Sequence, residues 1–193
     1  MEDLRDAEVE DLHEVWIATD FLEVDVRRLE ITMDDSERVR LGERAAHLSR
    51  DRDLDIPPNE KTVTQNFYVM PAPGRLENFQ PHMHMRGKAM SLEAVFPDGR
   101  REVISAVSNF QWNWHINYVY ATEAAPLLPK GTTLVFTAWH DNTAANANNP
   151  DPSQWVGWGD RTVDEMAHNW IDVTYLEQRE FDSLVAVRKA AAP

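Results

Sequence analysis

Short β-rich segments, separated by turns that contain proline or glycine, occupy most of the chain after residue 61 and constrain its fold more than any other feature. The segments are Thr62–Met70, Asn78–Phe96, Glu102–Val107, Thr132–Trp139 and Val163–Tyr175. The turns are Pro71-Ala72-Pro73-Gly74, Pro97-Asp98-Gly99 and Pro129-Lys130-Gly131. Many short strands joined by such turns predict an all-β fold, either a sandwich or a barrel.

Three further patterns complete this interpretation. Trp112, Trp114, Ile116 and Tyr118 fall at every second position, which predicts a half-buried strand. Residues 141–153 are polar and rich in asparagine, as in a long surface loop. The apolar spacing after Leu176 fits a short amphipathic helix that ends near Ala192.

The length of 193 residues fits one domain. We expect a flexible acidic lead-in over residues 1–14, a β-sandwich domain over 15–176 and a helical tail over 177–193. Within the first part, His13–Ile31 is expected to be extended. Residues 34–55, with dense mixed charge, are expected to form a solvated loop or an exposed helix.

Charge and composition exclude several classes of function. The chain has 19 basic and 33 acidic residues, and this net charge of −14 disfavours a nucleic-acid partner. It has no cysteine, so disulfides, thiolate metal sites and cysteine nucleophiles are excluded. No apolar run reaches the roughly 18 residues of a membrane span. The acidic N-terminus lacks the apolar core of a secretory signal, so the chain is expected to be either cytoplasmic or a trimmed piece of an exported protein.

The most informative motif is the run Pro81-His82-Met83-His84-Met85-Arg86-Gly87. On a strand His82 and His84 would share one face, about 6 to 7 Å apart, while the two methionines take the other face. Two imidazoles on one face can bind one metal ion. Without cysteine, the remaining ligands must be imidazole, carboxylate or thioether.

Alternatives stay open at this point. The histidines can form hydrogen bonds only, without a metal. A cupin site is disfavoured, because the positions where cupins carry a glutamate after the second histidine hold Lys88 and Ala89. A third ligand would have to come from elsewhere in the chain. His115, His140 and His168 lie in or beside predicted strands, whereas a lone methionine such as Met166 is more often part of a core.

A series of motifs in fixed order narrows the choice. They are Pro81–Lys88, Pro97-Asp98-Gly99-Arg100, Asp141-Asn142-Thr143, Asn149-Pro150-Asp151-Pro152 and Asp160-x-Thr162-x-Asp164-Glu165-Met166. Over residues 60–176 the chain resembles the C-terminal copper domain of the copper type II, ascorbate-dependent monooxygenases. Peptidylglycine α-hydroxylating monooxygenase and dopamine β-monooxygenase belong to that family, and the likeness is greatest to its bacterial members.

The resemblance implies a jelly-roll β-sandwich with one copper ion, cycling between Cu(I) and Cu(II), on His82, His84 and Met166. It implies that copper at this site activates dioxygen to hydroxylate a C–H bond of a small-molecule or peptide substrate. The resemblance further implies that ascorbate or another reductant supplies electrons through a second copper site in a separate domain or chain. The resemblance also favours an extracytoplasmic location.

The chain departs from the family in ways that leave a second hypothesis. It has no adjacent pair of histidines for the second copper site, which also allows a copper-binding module without catalysis. His115 stands where the bacterial relatives have glutamine, and it is a candidate additional ligand. His168, two residues after Met166, and His140, before the 141–153 loop, are further candidates. A β-sandwich without metal is the third hypothesis.

Overall fold

Antiparallel strands dominate the residues that the computed structural model describes, which are 46–48, as backbone only, and 54–191. They are β1 Ala46–Leu48, β2 Asp55–Ile56, β3 Lys61–Val69, β4 Gly74–Leu76, β5 Asn78–Met83, β6 Gly87–Val95, β7 Arg101–Val107, β8 Tyr118–Val119, β9 Leu127–Leu128, β10 Thr133–Asp141, β11 Val156–Gly157, β12 Ala167–Ile171 and β13 Val173–Tyr175. One helix, α1, follows at Gln178–Ala191. The all-β prediction is therefore confirmed. The expected lead-in over 1–14, the extended segments of His13–Ile31 and most of 34–55 lie outside the described residues.

Two four-stranded sheets form the framework, with strand orders β1-β12-β5-β8 and β3-β10-β6-β7. The pairs are nested along the chain: β6 pairs with β7, β5 with β8, β3 with β10 and β1 with β12. Such nested pairing favours the expected jelly roll, which stays a prediction. Smaller sheets, β13-β4-β9 and β11-β2, complete the described strands.

One apolar core joins the two large sheets. Phe79 and Met83 of β5 belong to the same buried cluster as Leu92 of β6 and Phe136 of β10. Side chains on alternate positions of these strands point inwards, so the two sheets pack face to face as a sandwich. The core thereby fixes β5 and β12, the two neighbouring strands next to which the candidate ligands lie.

The helix is fastened to the sandwich at both ends of its length. Phe181 is buried, and the Arg188 guanidinium donates hydrogen bonds to the carbonyl oxygens of Ala125, at 2.5 Å, and Thr122, at 3.0 Å. The amphipathic spacing predicted this helix to within two residues at its start. An arginine in the last turn also interacts favourably with the negative end of the helix dipole.

Two strand predictions were wrong in detail. Residues 111–117 form a turn and irregular chain, and the strand is limited to Tyr118–Val119. Trp114 is 71% exposed there, and its backbone N–H bonds the carbonyl of Gln111 in a turn, so no described strand pairs with residues 111–117. The last predicted strand begins at Ala167 and not at Val163, since residues 161–164 turn.

Candidate metal centre

A tight turn between β5 and β6 carries His84, which corrects the expectation that both motif histidines lie on one strand. β5 ends at Met83, and the N–H of Gly87 bonds the carbonyl of His84 at 3.1 Å. Gly87 sits directly on the buried side chain of Met83. A Cβ atom at position 87 would collide with that side chain, so only glycine lets the turn close this tightly.

Replacing Gly87 with alanine should lower the free energy of unfolding by about 1 to 3 kcal/mol, because the added methyl overpacks the core at Met83. Urea denaturation measures this. Gly157→Ala is the matched control, since its Cβ would meet its nearest neighbour, the Leu54 carbonyl oxygen, at an ordinary 3.5 Å. Equal losses in the two variants would contradict this account of the turn.

The imidazole of His82 lies at the centre of a histidine cluster. Its ring centroid is 5.4 Å from that of His84, 4.4 Å from that of His115 and 6.3 Å from that of His168. Two imidazoles that share a metal ion, each nitrogen about 2 Å from it, have centroids within roughly 6 Å of each other. The His82–His84 spacing thus permits a shared ion although His84 has left the strand.

His82 also has the protonation state that metal binding requires. Its Nδ1 is buried without a hydrogen-bond partner among the described residues. Burial, followed by the neighbouring His115, His84 and His168, lowers its pKa from 6.5 to about 4. The ring is therefore neutral at neutral pH, and neutral imidazole is the form that binds metals. In the tautomer with its hydrogen on Nε2, Nδ1 has a buried lone pair that a metal ion could bind.

A main-chain carbonyl orients the ring of His84. Its Nδ1 lies 3.2 Å from the carbonyl oxygen of Asp164. A carbonyl can only accept, so Nδ1 carries the hydrogen, and in the neutral ring Nε2 is left with its lone pair. Metal-binding histidines commonly have their second nitrogen fixed in this way.

Glu165 connects the His84 turn to the segment that carries Met166. Its carboxylate accepts the backbone N–H of His84, that of Arg86 at 2.8 Å and that of Met166 at 2.9 Å. The side chain is fully buried, and this burial raises its pKa from 4.5 to about 7, against the opposite effect of the three N–H donors and of Arg86. The turn and the Glu165-Met166 segment are thus held together.

The sheet register also brings Met166 to this place. β12 pairs with β5 so that Ala167 faces Met83 and His168 faces His82. Continued by one residue, that register sets Met166 opposite His84. Met166 is half-buried. The structure therefore brings the main chain of all three predicted ligands together.

The other candidate ligands differ in their surroundings. His115 is exposed, and its ring stacks on Phe110 at 5.6 Å beside His82. The Nε2 of His168 accepts the indole N–H of Trp158 at 3.4 Å, so that nitrogen is already engaged. A second tryptophan, Trp170, stacks on the face of His82 at 4.9 Å. Trp170 covers one face of the imidazole ring. The nitrogen lone pairs lie in the plane of the ring, so this contact does not cover them.

His140 lies apart from these ring contacts. It is buried in β10, and neither ring nitrogen has a hydrogen-bond partner among the described residues. Burial, and secondarily the charge of Arg86, lowers its pKa to about 3. The ring contacts of His82 are with His84, His115, His168 and Trp170, so the structure does not bring His140 into that cluster.

The polar loop over residues 141–153 braces the turn from its other side. The Asn146 amide donates to the carbonyl of Met85 at 3.1 Å, and Lys88 donates to the same asparagine at 2.7 Å. The guanidinium of Arg86, only 2% exposed, donates to the side chain of Asn142 and to the carbonyl of Val163. A loop expected from its composition thus supports the candidate site.

Within the described residues, no group of three or more His, Cys, Asp or Glu side chains is arranged to hold a metal ion. Met166 offers a donor of another class, a thioether, and the register and the Glu165 bond bring its main chain beside that of His84. Two imidazoles with a thioether are a ligand set that favours copper, and Cu(I) in particular.

Sequence reasoning missed the supporting groups. Glu165 and Asp164 were part of the motif series, but neither was assigned a role at the site. The sequence did contain a signal for them. Asp164 and Glu165 directly precede the candidate ligand Met166, and acidic side chains commonly support the ligands of a metal site. Trp170 had no such signal, because its contact with His82 depends on the cross-strand register.

No protein-family model matches the chain, and no curated protein matches it. The resemblance to the copper monooxygenases therefore remains a prediction from the motifs. In the part of the chain that the structure describes, no helix is long and apolar enough to cross a membrane.

Proposed function

We propose that this chain is a mononuclear copper domain that activates dioxygen to hydroxylate a C–H bond, with His82, His84 and Met166 as ligands. The observation that carries the proposal is the Glu165 carboxylate, which bonds the N–H groups of both His84 and Met166. It holds the main chain of Met166, which carries a soft thioether, beside that of His84, whose imidazole neighbours that of His82. This proximity supports a site with two imidazoles and one thioether.

Each residue has a stated part in this proposal. Copper, when bound, supplies one-electron redox chemistry with dioxygen, and the chain's side chains hold it. His82 binds as a neutral imidazole at neutral pH, because its pKa is about 4. His84 is fixed by the Asp164 carbonyl so that Nε2 faces away from the hydrogen bond. Met166 favours the reduced ion, since a thioether is a soft ligand.

The remaining elements of the proposal come from the family resemblance. The substrate is a small molecule or a peptide, and ascorbate or another reductant donates electrons, directly or through a separate copper domain or chain. An extracytoplasmic location belongs to the same proposal. A copper-binding module without catalysis is the second candidate, favoured by the absence of adjacent histidines for a second copper site in this sequence.

Removing the thioether should affect the affinity for Cu(I) more than the affinity for Cu(II). In Met166→Ala, Cu(I) affinity should fall by about tenfold or more while Cu(II) affinity changes much less, because soft sulfur stabilises Cu(I) selectively. Competition titrations with chelators of each ion measure this. Met85→Ala, which removes a half-buried methionine from the same motif, is the matched control.

Oxygen consumption with copper and ascorbate then decides between the two candidate functions. We expect the parent to consume oxygen, with product hydroxylation or peroxide release, and Met166→Ala to lose most of this rate. Tight Cu(I) binding without any oxygen uptake would favour the non-catalytic module. Parent-like Cu(I) affinity in Met166→Ala would refute the proposed ligand set.

A further inference from the structure

Glu165 touches both segments that carry the proposed ligands, although it would not itself contact the metal. We propose that Glu165 is a positioning residue, which holds the His84 turn and Met166 at the separation where imidazole and thioether reach one copper ion. This inference rests on the proposed function and assigns a role that the ligand set alone does not contain. Its evidence is the geometry of the carboxylate.

Both carboxylate oxygens are used. Oε1 accepts the N–H groups of His84 and Met166, and Oε2 accepts that of Arg86. The bond to His84 joins residues 81 positions apart in sequence. Glu165 has no solvent exposure, so water cannot take over a lost acceptor. A buried N–H left without a partner costs about 1 to 3 kcal/mol. The three N–H groups therefore favour the conformation in which the Glu165 carboxylate accepts them.

The rest of the turn is held by other elements. The carbonyl of Met85 accepts from Asn146, and that of Arg86 accepts from the N–H of Asp141 at 2.8 Å. These bonds fix the turn to the 141–153 loop and to β10. The β5–β12 pairing, the Asp164 carbonyl and the bond from Arg86 to the Val163 carbonyl also join the turn to the segment before β12. Glu165 differs from them because one of its oxygens accepts the N–H groups of both His84 and Met166.

Glu165→Gln tests this role, because the amide keeps the size of the side chain but replaces one acceptor oxygen with a donor NH₂. In the metal-free protein, amide hydrogen exchange at His84 and Arg86 should become about tenfold faster or more, since their acceptor is weakened. In the Cu(I)-loaded protein, the copper–sulfur signal in X-ray absorption should weaken or vanish. Cu(I) affinity should fall by about 10- to 100-fold, as for other groups that support a ligand.

Leu92→Ala is the control for a merely structural effect. Leu92 is fully buried in β6, so its truncation lowers stability without touching the site. It should leave Cu(I) affinity and the copper–sulfur signal unchanged. If Leu92→Ala lowered both as much as Glu165→Gln, the positioning role would be overturned.

The remaining outcomes are distinct. A parent with a copper–sulfur bond that persists in Glu165→Gln, with parent-like exchange at His84 and Arg86, overturns this inference and leaves the proposed function standing. A parent that binds no copper overturns both. Should Glu165→Gln fail to fold, Glu165→Asp keeps two acceptor oxygens with a shorter reach. It is expected to weaken the copper–sulfur signal, and a parent-like signal would overturn the proposal.

Discussion

Replacing His82 with alanine should reduce copper affinity by more than about 100-fold, since even the loss of a group that only supports a ligand costs about 10- to 100-fold. His82 is the shared neighbour of the His84, His115 and His168 rings, so its loss removes the ring around which this cluster is arranged. Its Nδ1 has no hydrogen-bond partner among the described residues, so removing the ring breaks no hydrogen bond at that nitrogen. Copper titration followed by competition with a chelator measures the loss, and circular dichroism checks the fold.

His168→Gln and His115→Gln are the matched controls, because both rings contact His82 without being assigned as ligands. Each should change copper affinity by less than about tenfold, as expected for neighbours of a metal site. A loss in His115→Gln as large as that in His82→Ala would show that a third imidazole binds the metal. In that case the thioether would no longer be the necessary third ligand.

Replacing Arg86 with methionine should lower the free energy of unfolding by about 3 to 5 kcal/mol. This is the range for removing one partner from a buried network of charged groups. Arg86 is almost fully buried, and its guanidinium donates to the Asn142 side chain at 2.8 Å and to the Val163 carbonyl at 2.9 Å. Its positive charge also lowers the pKa of Glu165, against the larger increase that burial causes. Methionine fills similar space but provides neither donors nor charge.

Arg101→Met is the control for this experiment. Arg101 forms an exposed ion pair with Glu93 at 2.6 Å, and such surface pairs contribute about 0 to 1 kcal/mol. Chemical denaturation of both variants measures the difference. A loss below about 1 kcal/mol in Arg86→Met would show that the buried network does not stabilise the turn, and the account of Arg86 given above would be wrong.

Local chemistry made much of the fold predictable. The hairpin of β6 and β7 was expected from Pro97-Asp98-Gly99, and Gly99 indeed has a φ of 86°, a conformation that glycine adopts without strain. The side chain of Asp98 accepts the N–H of Arg100 in the same turn. These interactions lie within a few residues, so the sequence alone is sufficient to indicate them.

The errors arise where pairing partners decide the outcome. Trp112 to Tyr118 alternates as a strand should, but among the described strands a neighbour pairs with this part of the chain only at Tyr118–Val119. The same holds for the site. The motif indicated His82 and His84, whereas the Glu165 bonds and the Trp170 stack arise from contacts across about 80 residues of sequence. Periodicity cannot reveal such contacts, because it reports on one segment at a time. The metal itself stays a prediction.

The nested strand pairing has a consequence for biogenesis. β5 and the His84 turn are synthesised early, but their partner β12 and the Glu165 carboxylate follow some 80 residues later. Contacts this distant in sequence form late in folding, because a long loop must first close. During translation, a nascent chain would therefore present His82 and His84 before Glu165 and Met166 are synthesised. Loading of the proposed copper ion should accordingly be post-translational.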